Sequence, residues 1–133
     1  MRTIKFRGFS NCNSQWTYGN LVIVDGKYHI IDQEEYEEVS DYTLVDKSSV
    51  GQFTGLYDKN GTEIYEGDIL YNEQIHKKTE KHKTPIKNFI VCFEVCGFEC
   101  KSTVGEKIAL LRYNTKCFEV IGNIYDNPEL FKQ

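Results

Sequence analysis

Over much of this chain, apolar and polar residues alternate with the period of two that marks half-buried β-strands, and the runs are short. Thr3–Arg7 sets Ile4 and Phe6 on one face and Lys5 and Arg7 on the other, which predicts a strand. Trp16–Val24 and Lys27–Ile31 are rich in β-branched and aromatic residues. They flank Asp25-Gly26, a dipeptide that tolerates the left-handed backbone of a two-residue hairpin turn. The densest pattern lies in Val50–Leu70. There Gln52–Tyr57 is a run of strand formers, Asp58-Lys59-Asn60-Gly61 puts Asp first and Gly last in a type I turn, and Thr62–Tyr65 resumes the alternation. Glu66-Gly67-Asp68 then turns the chain again before Ile69-Leu70-Tyr71. Three short strands thus arrive within about twenty residues, as a small antiparallel barrel or meander requires.

Elsewhere the pattern weakens. Asp32–Glu38 concentrates acidic residues, with Tyr36 and Val39 at helical spacing, and fits a helical turn or an acidic loop equally well. Asn72–Asn88 breaks the composition: it has few apolar residues and gathers Lys77, Lys78, Lys81, Lys83 and Lys87 with His76 and His82, which predicts a long exposed excursion. Phe89–Phe93, Lys107–Leu111 and Cys117–Ile121 read as further strands. Asn127 before Pro128, with Glu129 placed favourably against the helix dipole, predicts a capped short helical turn through Phe131. The expected fold class is mainly β, α+β at most: antiparallel hairpins with a short C-terminal helix. A single domain is expected over 1–133, with an N-terminal strand and hairpin lobe at 1–47. A barrel-like lobe follows at 48–133 and carries the lysine-rich excursion at 72–88.

The chain has 133 residues, enough for one core without external staples. Its 16 Lys+Arg against 20 Asp+Glu give a net charge of −4, so nothing draws the whole molecule to nucleic acid or anionic lipid, and such binding would need a local patch. Aromatic content of 14% exceeds that of disordered chains. The N-terminus lacks the apolar stretch of a signal peptide, and no run of about eighteen apolar residues occurs to span a bilayer, so a cytoplasmic address is expected. Five cysteines cannot all pair within the chain, which favours free thiols in a reducing compartment.

Candidate chemistry is sparse. Cys92, Cys96 and Cys100 recur at a spacing of four, which suits no zinc knuckle; on one strand they would share a face as small hydrophobes. The glutamates at 34, 35, 37 and 38 lack the alternating ligands and central glycine of an EF-hand loop. No nucleophile elbow, Cys-His arrangement or phosphate-cradling glycine pattern occurs. No catalytic residue, metal or cofactor is therefore expected. The feature with most chemical content is the lysine cluster: Lys77, Lys78, Lys81, Lys83 and Lys87 could neutralise phosphates while Tyr71 or Phe89 at its edges stacks on bases. Glu73 and Glu80 interrupt it, and it holds no arginine to fork onto a guanine edge.

Three blocks carry a resemblance: MRTIKFRGF at Met1–Phe9, VGQFTGLYDKNGTEIYEGDIL at Val50–Leu70 and EVIGNIYDNPEL at Glu119–Leu130. Together they resemble the YopX-like family of phage and prophage proteins, departing where Phe9 replaces a frequent Trp. The resemblance implies a compact mainly β protein with an SH3-like barrel element, encoded by a phage or an integrated element, and it transfers no catalytic residue. The function expected on these grounds is a non-enzymatic accessory role in the host cytoplasm. It would act by binding a host or phage protein, with homo-oligomerisation through exposed sheet edges. The alternative is a nucleic-acid-binding regulator using the lysine-rich 76–87 segment.

Overall fold

The computed structural model describes residues 2–32, 42–95, 97–109 and 115–132. The fold is mainly β, built from two antiparallel sheets, with one α-helix among the described residues. The strands are β1 (Phe6–Ser10), β2 (Gln15–Val24), β3 (Lys27–Ile31), β4 (Tyr42–Leu44), β5 (Gly51–Tyr57), β6 (Glu63–Tyr65), β7 (Asp68–Tyr71), β8 (Phe89–Glu94), β9 (Gly97–Ser102), β10 (Lys107–Ala109) and β11 (Glu119–Asn123). The helix α1 spans Glu73–Thr79. Strands pair in the orders β4-β3-β2-β1-β5-β6 and β10-β9-β8-β7-β11. Among the described residues no closed barrel is found, so the SH3-like barrel element implied by the resemblance has no counterpart in closure. Two compact units divide the chain, Met1–Gly55 and Leu56–Gln133.

In the first unit the Asp25-Gly26 signal does what its chemistry allows. Asp25 (φ 50°) and Gly26 (φ 75°) both take left-handed backbone, and Val24 pairs with Lys27 across the turn. Lower on this hairpin, a β-carbon on Gly19 would stand 1.9 Å from the Ile31 carbonyl oxygen, so only glycine lets β2 and β3 approach there. The first strand departs from its expected register. It starts at Phe6, Ile4 is 57% exposed, and Arg7 is 7% exposed. The reason is aromatic: the Arg7 guanidinium lies 4.9 Å from the Trp16 ring centroid, which lets a charged side chain take the inner face. A 3-10 turn at Lys47–Ser49, which the pattern did not announce, is capped by Asp46 Oδ1 on the Ser48 N–H (3.0 Å). Ser49 Oγ accepts the Phe9 N–H at 2.7 Å and donates to the Asp46 carbonyl at 2.6 Å, buckling this turn to β1.

The second unit is organised around one apolar cluster: Ile64, Leu70, Ile86, Phe89, Val91, Cys100 and Phe118. Phe89 and Phe118 meet edge-to-face with centroids 5.6 Å apart, and each contributes about 1.5–3 kcal/mol by burial alone. The expected β5–β6 hairpin forms, and its turn is fixed by Asp58, which is 3% exposed. One carboxylate oxygen accepts the N–H groups of Asn60 (2.8 Å) and Thr62 (2.9 Å), and the other accepts the N–H of Val120 in β11 (2.9 Å). Gly67 (φ 86°) donates to the Val91 carbonyl and accepts from the Ile124 N–H, each at 2.8 Å. Asp68, 1% exposed, accepts the Tyr65 N–H at 2.7 Å. In β11 the register shifts between Val120 and Gly122, leaving Ile121 as the extra residue of a bulge.

Three expectations are corrected in this unit. Asn72–Asn88 is not a bare excursion, because Asn72 Oδ1 caps α1 at the Ile75 N–H (3.1 Å) and Ile86 reaches the core at 8% exposure. Cys92 and Cys100 do not share one strand: a turn at Val95 reverses the chain, and β8 and β9 pair Val91 with Cys100 and Cys92 with Glu99. The C-terminal turn forms as a 3-10 helix at Pro128–Phe131, but Asn127 makes no side-chain cap to it; its Oδ1 accepts the Asn123 N–H instead (3.4 Å). The acidic cluster with Tyr36 and Val39, Cys96, and the Leu110-Leu111 end of the strand expected from Lys107 lie outside the described residues.

Candidate functional site

The lysine segment is held by hydrogen bonds between side chains and backbone, and most of its ammonium groups make no ion pair among the described residues. Thr79 Oγ1 donates to the Ile75 carbonyl (2.9 Å) and accepts the Ile86 N–H (3.0 Å), closing a loop over residues 79–86. The Lys87 N–H donates to Thr103 Oγ1 (3.3 Å), the Thr103 N–H donates to the Asn88 carbonyl (3.0 Å), and Asn88 Nδ2 donates to the Leu130 carbonyl (2.5 Å). On this frame Lys77 pairs with Glu73 at 2.7 Å, an exposed i,i+4 bridge that solvent screens. That contact holds the Glu73 carboxyl below its usual range and the Lys77 ammonium above its own. Lys78, Lys81, Lys83 and Lys87 are exposed and make no ion pair among the described residues. Lys83 and Lys87 line a cleft of about 210 Å³ with Thr84, Pro85, Thr103 and Val104, and among the described residues no aspartate or glutamate lines it.

The two aromatic residues expected to flank this cluster behave differently from one another. Phe89 is 1% exposed and packs on Phe118, so its ring cannot stack on a base. Tyr71 is half-buried, its hydroxyl 3.1 Å from His76 Nδ1 and its ring edge-to-face with the imidazole at 5.6 Å. His82 is exposed.

In the first unit, sequence reading missed a partly exposed row of two valines and a leucine around a histidine. Val22, His29 and Leu44 are directly opposite one another across β2, β3 and β4, and Val24 lies two residues further along the same face. Val24 is 45% and Leu44 42% exposed, and β4 pairs only with β3 among the described residues. The His29 ring stands 6.4 Å from that of Tyr42. Leu44 also borders a cleft of about 250 Å³ with Tyr28, Val45 and Lys47, and the Lys47 ammonium sits 5.5 Å from the Tyr28 centroid. The signal was weak because β4 is only three residues long, and its approach runs through residues of poor periodicity.

The cysteines are placed as inert or scattered thiols. Paired residues share a face, so Cys100 turns with Val91 toward the core and Cys92 turns the other way with Glu99. Burial pushes the Cys100 thiol up to about 12, with the neighbouring Cys92 adding to it, and burial followed by the Glu94 charge raises Cys92. Cys12 and Cys117 are exposed. Among the described residues no three His, Cys, Asp or Glu side chains gather to hold a metal ion, and no helix is long and apolar enough to cross a membrane.

Two antiparallel sheets with clamped turns and a helix define a mainly β protein. The chain belongs to the YopX family: the family model, described as YopX protein, matches residues 5–132. Among solved structures it is similar to the crystal structure of protein EF1440 from Enterococcus faecalis. The two are 21% identical, with 99% of this chain and 100% of that one covered and a TM-score of 0.60, a likeness of fold. No curated protein matches the chain.

Proposed function

We infer that this protein is a non-enzymatic accessory factor, carried by a phage or prophage and working in the host cytoplasm, that acts by binding a protein partner. The observation that carries this reading is the Val22–His29–Leu44 row with Val24, two valines and a leucine around a histidine on β2, β3 and the marginal β4 of the first unit. Exposed Val24 and Leu44, with half-buried Val22 beside them and β4 at a sheet margin, suit a partner that covers the strip or extends the sheet. A second copy of the chain is one such partner. Family membership supports the phage context. The test is affinity capture from the lysate of a phage-infected host with the wild-type chain and a Val24→Glu/Leu44→Glu variant. Loss of a stoichiometric protein partner from the variant is expected, and equal recovery by both chains contradicts the reading. A second reading, a nucleic-acid-binding regulator acting through residues 76–87, is favoured by one observation: four of its five lysines lack an ion-pair partner among the described residues.

A further inference from the structure

We propose that the cleft between Lys83–Lys87 and the Thr103-Val104 turn is a phosphate-binding site that takes the phosphate group of an ester, with the Lys83 and Lys87 ammonium groups as its charges. It rests on the same lysine loop as the second reading above. It goes further by naming a bounded site and the group that fills it.

Size decides the class of ligand. Pockets that enclose whole small molecules run to about 300–1,000 Å³, and this cleft has about 210 Å³. It therefore fits a compact head group whose remainder stays in solvent. Charge decides the sign. Its lining residues include two lysines and two threonines and, among the described residues, no aspartate or glutamate. A phosphate that draws both ammonium groups to itself replaces their mutual repulsion with two attractions. Lysine serves phosphate as a point charge and needs no fixed fork geometry, so the absence of arginine does not count against the site.

Rigidity makes these charges more than a solvated surface. Pro85 fixes one backbone angle within the loop, Ile86 is anchored in the core at 8% exposure, and its N–H is held by Thr79 Oγ1. One residue on, Lys87 is tied by its own N–H to Thr103 Oγ1 across the cleft, and the Thr103 N–H returns to Asn88. The two walls are thus stitched at the position where one ammonium emerges. A ligand meets a backbone already ordered and immobilises only side chains, at about 0.5–1.5 kcal/mol each.

The test uses the isotope-labelled full chain, titrated at matched ionic strength with inorganic phosphate, adenosine monophosphate and a thymidine decanucleotide, and read by amide shifts. Saturable shifts are expected at the amides of Lys87 and Thr103 with all three probes. Binding should weaken at least tenfold in a Lys83→Gln/Lys87→Gln variant whose remaining amide spectrum is unchanged. A Lys77→Gln chain, altered at a lysine that pairs with Glu73 and does not line the cleft, should bind inorganic phosphate as wild type. A decanucleotide that binds no more tightly than the mononucleotide upholds the site while sinking the nucleic-acid reading. A tighter, steeply salt-dependent decanucleotide upholds both. Absence of saturable shifts at these amides with every probe, or undiminished affinity in the double variant, overturns the site.

Discussion

Replacing Asp58 should loosen the second unit more than any other single change in its turns. The side chain is 3% exposed and accepts three backbone N–H groups: Asn60, Thr62 and Val120. In an Asp58→Ala chain the donors of Asn60 and Thr62, both on exposed residues, regain water. The Val120 donor sits within the β7–β11 pairing and is left less well solvated, at about 1–3 kcal/mol. Loss of the charge-assisted turn adds about 1 kcal/mol, giving a total of about 2–4 kcal/mol. With a urea dependence of about 2 kcal/mol per molar, the midpoint should fall by about 1–2 M, measured by far-ultraviolet circular dichroism. Asp58→Asn separates the parts. Its amide oxygen can still serve Asn60 and Thr62, but its NH2 faces the Val120 N–H donor to donor, so the link to β11 is lost while the turn is kept. Burial raises the Asp58 carboxyl, but the donors from Val120, Thr62 and Asn60 outweigh it and hold the group below its ordinary 3.8. A lowered folded value contributes stability above the unfolded value and loses it as pH falls through the folded one. The gap between wild type and Asp58→Asn should therefore be constant from about pH 5 to 7 and shrink below about pH 3.8. Midpoints within about 0.3 M of wild type for both variants, or a gap that does not shrink in acid, would refute this account.

Three further outcomes follow from the packing. Gly19→Ala should cost about 3 kcal/mol or more, because the added carbon meets the Ile31 carbonyl at 1.9 Å and the β2–β3 pair must part; thermal denaturation reads the loss. Phe118→Ala, at a ring that is fully buried against Phe89, should cost about 3–5 kcal/mol by urea denaturation, and a cost below about 1 kcal/mol would deny it a place in the core. In brief alkylation at neutral pH followed by peptide mass mapping, Cys12 and Cys117 should label first and Cys100 only on unfolding. Early labelling of Cys100 would contradict its burial and raised thiol.

Where local chemistry dictated the backbone, the chain could be read from its letters. Asp25-Gly26 and Asp58–Gly61 each specify a turn, and both hairpins form with the strands their alternation implied. Glu66-Gly67-Asp68 likewise led into β7. Long-range compensation hid the rest. Arg7 takes an inner position because a ring from β2 receives its charge, which no period within β1 can reveal. The β8–β9 turn carries no left-handed specialist at its first position. Val95 adopts φ 57° there, so two strands looked like one continued run. Residues 72–88 read as solvated because their lysines are; the cap at Asn72 and the single buried Ile86 that order them are only two residues among many polar ones. Of the candidate site, the lysines were legible from composition, whereas the cleft depends on Thr103, sixteen positions beyond Lys87. The row across β2, β3 and β4 needs the register of three strands, one of them too short to show a period.

Capture from infected-host lysate with and without nuclease separates the proposed protein-binding role of this YopX-family chain from the nucleic-acid alternative. The proposed role requires a protein partner in stoichiometric amount that survives nuclease and is lost with Val24→Glu/Leu44→Glu. Recovery of nucleic acid, with every captured protein released by nuclease, would contradict it.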